Sequence, residues 1–252
     1  MDQRRDSATR FAARSAVGLV AEVCAGTGFG LLVLLVRLRW APLQRFDVDA
    51  ADALNDAVAT HPALVSALRD LTDLGGPYFV TTLVTVAVVV LLIRRKWQAA
   101  AYLAVTGIGA HILSPTLKTL VGRLRPMVET PIAAASGKSF PSGHALGATV
   151  AYGSLLLVFL PVIPRRGRPW AAALVALLVA TVCFTRVALG VHYVSDVVGG
   201  VLLGVAWLGI VALAFRRWRR ETGRPVPPIE EGLAPETGEL AGPPASSSPP
   251  RR

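Results

Sequence analysis

Cysteine is close to absent from this chain. Its only two, Cys24 and Cys183, each lie inside an apolar run, and neither stands at metal-ligand spacing. That leaves no disulfide framework and no thiolate metal site. Histidine is scarce as well. There are four, and His61 and His111 are not at ligand spacing with His144 and His192, so no histidine metal centre is expected. Charge is missing over several long stretches. With 53% hydrophobic residues and a mean hydropathy of +0.52, the chain is too apolar for an ordinary soluble domain, and its charge-poor runs read as membrane spans. No cleavable signal peptide is evident, because the first apolar run is long enough to remain as a span.

Six spans are expected, at about Ser15 to Val36, Pro77 to Ile93, Trp97 to Leu117 (with Pro115 kinking it), His144 to Val162, Pro169 to Thr185 and Val194 to Phe215. Between the first two lies a polar segment, 37–76, that carries Asp47, Asp49, Asp52, Asp56, Asp70 and Asp73. It reads as an interfacial cap of one or two short helices broken at His61-Pro62. Everything after Glu221 is rich in Pro, Gly, Ser and Glu, the composition of a disordered tail. The fold class is therefore all-α and integral to the membrane: a six-transmembrane-helix bundle with a short extracytoplasmic cap. Residues 1–14 form an N-terminal segment, 15–220 the membrane domain and 221–252 the tail.

The net charge of +10 falls mainly in bursts at the ends of apolar runs. Topology accounts for it, so no nucleic-acid partner is expected. Before the tail, one side of the membrane receives fourteen Lys and Arg and the other nine. The positive-inside rule then puts both termini in the cytoplasm of a multi-pass plasma-membrane protein. Arg37 and Arg39, directly after the first span, run against this orientation and are outvoted.

Three polar clusters interrupt the apolar sequence, and this topology brings all of them to the extracytoplasmic face. They are Lys118-TLVGRL-Arg125-Pro126, then Ser139-Phe140-Pro141-Ser142-Gly143-His144, then Thr185-Arg186-VALGV-His192-YVS-Asp196. A single cation at a span end is ordinarily a snorkelling anchor. Lys118, Arg125 and Arg186 together, on the less basic face and each beside a histidine or a Pro-Gly turn, point instead to an anion site. Ser142 and Gly143 open a helix whose first N–H groups favour an anion, although Ser142 alone would suit a plain N-cap. His192 and Asp196 are four residues apart and share a helix face. There the carboxylate can fix one ring nitrogen and leave the other free to attack.

In order and spacing these clusters resemble the signature of the phosphatidic acid phosphatase type 2 superfamily: Lys, six residues, Arg-Pro; Pro-Ser-Gly-His; Ser-Arg, five residues, His, three residues, Asp. Thr185, where the family usually has Ser, is the single departure. The resemblance implies a lipid phosphatase that works without metal or other cofactor through a phosphohistidine. His192 would be the nucleophile, Asp196 its orienting partner and His144 the general acid and later base. Lys118, Arg125, Arg186, Ser142 and Gly143 would hold the phosphate. Candidate substrates are phosphatidic acid, phosphatidylglycerophosphate, diacylglycerol pyrophosphate and undecaprenyl pyrophosphate. A transporter or scaffold that binds phospholipid headgroups without chemistry is the alternative. A haloperoxidase would share the pocket but not the six spans. Oligomeric state has no legible signal, and His61 and His111 are left without a role.

Overall fold

The computed structural model describes residues 2–127, 137–223, 226 and 231–240. Among these there are eight α-helices: α1 (Asp2–Arg37), α2 (Ala41–Ala59), α3 (Pro62–Asp73), α4 (Pro77–Ile93), α5 (Trp97–Val121), α6 (Gly143–Phe159), α7 (Arg168–Ala188) and α8 (Val194–Glu221). Six stretches of the described residues are long and apolar enough to cross a membrane, and they match the six expected runs. Proline stands in the first turn of α2, α3, α4 and α7, where its missing N–H costs nothing and its fixed φ starts a helix. α5 runs unbroken through Pro115. α1 already starts at Asp2, so the helix that carries the first span also runs through residues 2–14. The reason is local: Arg and Ala are the commonest residues of this stretch, and both favour helix.

α6 is the hub, packing on α8, α5, α7 and α4. Small residues let its neighbours approach closely, since helices in lipid gain by packing and not by leaving water. The closest approach to backbone is at Gly200 on α8. A Cβ there would stand 2.7 Å from the Ser142 carbonyl oxygen and 2.9 Å from Ala145 Cβ. Backbone cannot swing aside, so Gly200→Ala should destabilise the protein by about 1–3 kcal/mol. A thermal melt in detergent reads this directly, and an unchanged midpoint would contradict the packing described.

α2 and α3 form a cap at the end of the bundle where α5 finishes and α6 begins. The predicted break falls at Thr60-His61. Val58 of α2 and Leu68 of α3 are buried against Ala188, Leu189 and Val191, the turn between α7 and α8. Tyr152 Oη donates to the Leu74 carbonyl (2.7 Å) and pins the α3–α4 turn to α6. Trp40 and Tyr78 are exposed at this end, while Trp97, Trp170 and Trp218 are exposed at the other. Such rings belong at the two water–lipid boundaries.

The tail departs from expectation. Residues 231–240 pack on the end of the bundle opposite the cap and finish in a 3₁₀ helix, Pro235–Leu240. Leu233 joins Tyr102, Val158 and Phe215 in a buried cluster. Leu233 N donates to Leu157 O (3.1 Å) and Thr237 Oγ1 to Val158 O (2.8 Å). These are last-turn carbonyls of α6, which no intrahelical donor can reach. Glu236 receives Arg219 Nη1 at 2.9 Å. Composition missed this because two apolar residues and two hydrogen bonds are enough when the receiving surface supplies the rest. Glu236→Ala should cost about 1.5–3 kcal/mol, as for other charged hydrogen bonds, and should expose residues 231–240 to limited proteolysis. Residues 241–252 lie outside the described residues, as do 128–136.

Candidate active site

The three polar clusters meet at the cap end, stitched together largely through backbone. Ser139 N donates to Arg123 O (2.9 Å) and Ser139 Oγ to Leu124 O (2.9 Å), which joins the first cluster to the second. Ser142 N donates to Asp196 O (2.9 Å) and joins the second to the third. Arg125 Nη1 donates to Val191 O (2.6 Å) and closes the ring.

His192 sits in the short turn before α8, 1% exposed, with Nδ1 3.3 Å from Asp196 Oδ2. The same oxygen accepts Tyr193 N at 2.9 Å. With Nδ1 occupied, Nε2 is the nitrogen turned to the cations, 3.2 Å from Arg125 Nη1. Burial pulls the imidazole down to about 4, while the hydrogen bond and charge of Asp196 push the other way. A base with a lowered pKa keeps its neutral form as pH falls from 6.5 towards 4, so the ring is neutral across the physiological range. Histidine-selective NMR in detergent, with His192→Ala assigning the resonance, should find the ring still mostly neutral at pH 5. A midpoint near 6.5 would contradict the desolvated setting.

Lys118 lies in the last turn of α5, and its Nζ is 3.8 Å from where a Cβ on Gly143 would stand. Ser114 Oγ, one turn earlier on α5, is 3.1 Å from the same point. A side chain at position 143 would push both away from the start of α6. Arg186 ends α7, nearly buried, and donates Nη1 to Thr72 Oγ1 at 3.1 Å. Its Nε is buried with no hydrogen-bond partner among the described residues, a donor that an anion would satisfy. Thr185 Oγ1 donates to Val182 O (2.7 Å) and shares a hydrogen bond with Thr72 Oγ1 (3.0 Å). The hydroxyl at the departing position thus steadies the partner of Arg186. Ser142 is the N-cap of α6, its Oγ accepting from Ala145 N at 3.5 Å. His144, the next residue but one, feels the charges of Arg186, Lys118 and Arg125 and interacts with the His192 ring.

All eight residues singled out in the sequence are therefore neighbours. Several others at the site were not foreseen. Arg123 binds Asp196 Oδ1 (2.8 Å) and Asp47 Oδ2 (2.7 Å), and its guanidinium lies 4.2 Å over the Tyr193 ring. Ser114, Thr72 and Asp47 come from α5 and the two cap helices. His111 is placed elsewhere, sharing a hydrogen bond with Thr81 across α4 and α5 (2.9 Å). His61 shares one with Thr60 (3.0 Å).

Fold and site together define a multi-pass membrane protein with a buried His–Asp pair facing a cluster of cations. The PAP2 superfamily matches residues 95–220, half of the chain, and the chain belongs to it. It is 31% identical over 148 residues to phosphatidylglycerophosphatase B of Bacillus subtilis (strain 168), covering 57% of this chain and 71% of that one. It is 32% identical over 176 residues to decaprenylphosphoryl-5-phosphoribose phosphatase of Mycobacterium tuberculosis (strain H37Rv), covering 66% and 89%. The crystal structure of a transmembrane PAP2-type phosphatidylglycerolphosphate phosphatase from Bacillus subtilis superposes with a TM-score of 0.68 at 26% identity, covering 79% of this chain and 98% of that one. The protein is accordingly an enzyme, a phosphoric monoester hydrolase of the PAP2 superfamily.

Proposed function

We propose that this enzyme dephosphorylates a lipid phosphate or pyrophosphate at the extracytoplasmic membrane face, through a phosphohistidine and without metal. In the first step His192 Nε2 attacks phosphorus and the bond from phosphorus to the leaving oxygen breaks, with His144 giving that oxygen a proton. In the second, water attacks phosphorus while His144 takes a proton from it, the phosphorus–nitrogen bond breaks, and phosphate leaves with His192 restored. Lys118, Arg125 and Arg186, with Ser142 and the Gly143 N–H, hold the phosphoryl oxygens. Fixed cations then supply the charge neutralisation that phosphoryl transfer chiefly needs.

The observation that carries this reading is the orientation of His192: Asp196 takes Nδ1, and Nε2 is turned to Arg125. A pure headgroup binder needs the cations but no dyad. A lipid substrate is favoured by an apolar cavity of about 220 Å³ between α4, α5 and α6. It is lined by Val80, Val84, Ala104, Val150 and Gly147, and Gly147 is one turn along α6 from the Gly143 turn. The orientation rests on the basic bursts 94–96, 165–168 and 216–220, all at the end away from the site.

The test is phosphate release by the detergent-purified protein from a panel of lipid phosphates, with and without EDTA. The two relatives are named for a glycerophospholipid phosphate and a polyprenyl one, so the panel carries both classes. At least one lipid should turn over at the same rate in EDTA. Saturable binding without phosphate release would leave the headgroup-binding reading instead.

A further inference from the structure

We infer that Asp47 and Arg123 are positioning residues that hold Asp196 aimed at His192, which makes the cap helix α2 part of the catalytic apparatus. The inference rests on the phosphohistidine reading above.

Asp196 is fully buried, a setting in which a carboxylate is costly unless it is paired and hydrogen-bonded. One of its oxygens is used by His192 and Tyr193 N. The other is held by Arg123 Nη1 at 2.8 Å. Arg123 is aimed in turn by Asp47, whose Oδ2 receives its Nη2 at 2.7 Å, and by the Tyr193 ring beneath it. Asp47 is itself fully buried, and it accepts Ser195 N (2.9 Å) and Ser195 Oγ (2.5 Å). Ser195 is in the first turn of α8, so a carboxylate from α2 caps the helix that carries Asp196.

The charge count gives this arrangement a chemical purpose. Asp47 and Asp196 bring two negative charges and Arg123 one positive, a surplus of one negative charge on the Nδ1 side of the ring, while Arg125 on the Nε2 side faces the phosphate. When Nε2 bonds to phosphorus the ring becomes cationic and the surplus is balanced. Removing the charge of Asp47 should therefore weigh on the step that forms the phosphohistidine and leave substrate binding, which uses Lys118, Arg125 and Arg186, largely alone.

A double-mutant cycle between Asp47→Asn and Asp196→Asn tests this, with kcat and KM measured per folded protein. A substrate with an acidic leaving group keeps the slow backgrounds measurable. Asp47→Asn alone should lower kcat on the order of ten- to a hundredfold with KM changed less than about threefold, and should change kcat less than about twofold once Asp196 is already Asn. Equal effects of Asp47→Asn in both backgrounds, or a loss expressed only in KM, would overturn the inference while the phosphohistidine reading survived. Full activity in Asp196→Asn itself would remove that reading. Should Asp47→Asn not fold, Arg123→Lys enters the same cycle, since it keeps the charge but lacks the planar fork whose two nitrogens each hold one carboxylate. Failure of both to give monodisperse protein would assign the cluster to folding alone and overturn the inference as well.

Discussion

His192→Ala releases no phosphate from any lipid in the panel, with chelator or without it, while still inserting and purifying as the parent does. The expected loss is on the order of 10⁴-fold or more, the scale seen when a nucleophile is removed from residues that act as a unit. The magnitude follows from the geometry. Nε2 of His192 is the nitrogen turned towards the cations, and its ring is held by Asp196 at 3.3 Å. No other histidine among the described residues combines a carboxylate partner with a place beside Arg125. Phosphate release at the parent rate in this variant would end the proposal of a covalent intermediate on this residue.

His144→Ala gives the second large effect, with a different signature. Losing a general acid costs roughly 10²–10⁴-fold, and the cost depends on how much the departing oxygen needs a proton. An alkoxide leaving from a lipid phosphate needs one badly, whereas a nitrophenolate does not. The deficit of His144→Ala should therefore shrink by at least tenfold on an aryl phosphate, while that of His192→Ala stays the same on both substrates. Equal deficits on alkyl and aryl substrates would take the proton-donor role away from His144. Position supports the role, since His144 is two residues past the N-cap of α6, beside the Gly143 turn that Lys118 Nζ and Ser114 Oγ approach.

Much of this was legible in the sequence because it depends on local pattern. Charge-free runs of about twenty residues mark the spans, Pro62 marks the break in the cap, and three ordered clusters fix which residues share one face. What stayed hidden depends on contacts across the chain. Asp47 is one of six aspartates in the 37–76 segment, and nothing in their spacing says which one turns inward to meet Ser195. Arg123 stands in the same polar run as Lys118 and Arg125, so its pairing with two carboxylates is masked by neighbours with a more obvious task. Thr72 supports Arg186 from a helix 114 positions earlier in sequence. The docking of Leu233 and Thr237 relies on carbonyls at the end of α6 that look from sequence like any others.

The ring of bonds from Ser139 to Leu124, Ser142 to Asp196 and Arg125 to Val191 ends in each case on a main-chain oxygen. Main-chain oxygens are supplied by every amino acid, so what these acceptors demand is a fixed register and not a particular residue. Single-residue insertions or deletions at 139–143 or 190–195 should therefore be far more damaging than exchanges of Leu124 or Val191 for other apolar residues. In such an enzyme, segment length matters more than spelling.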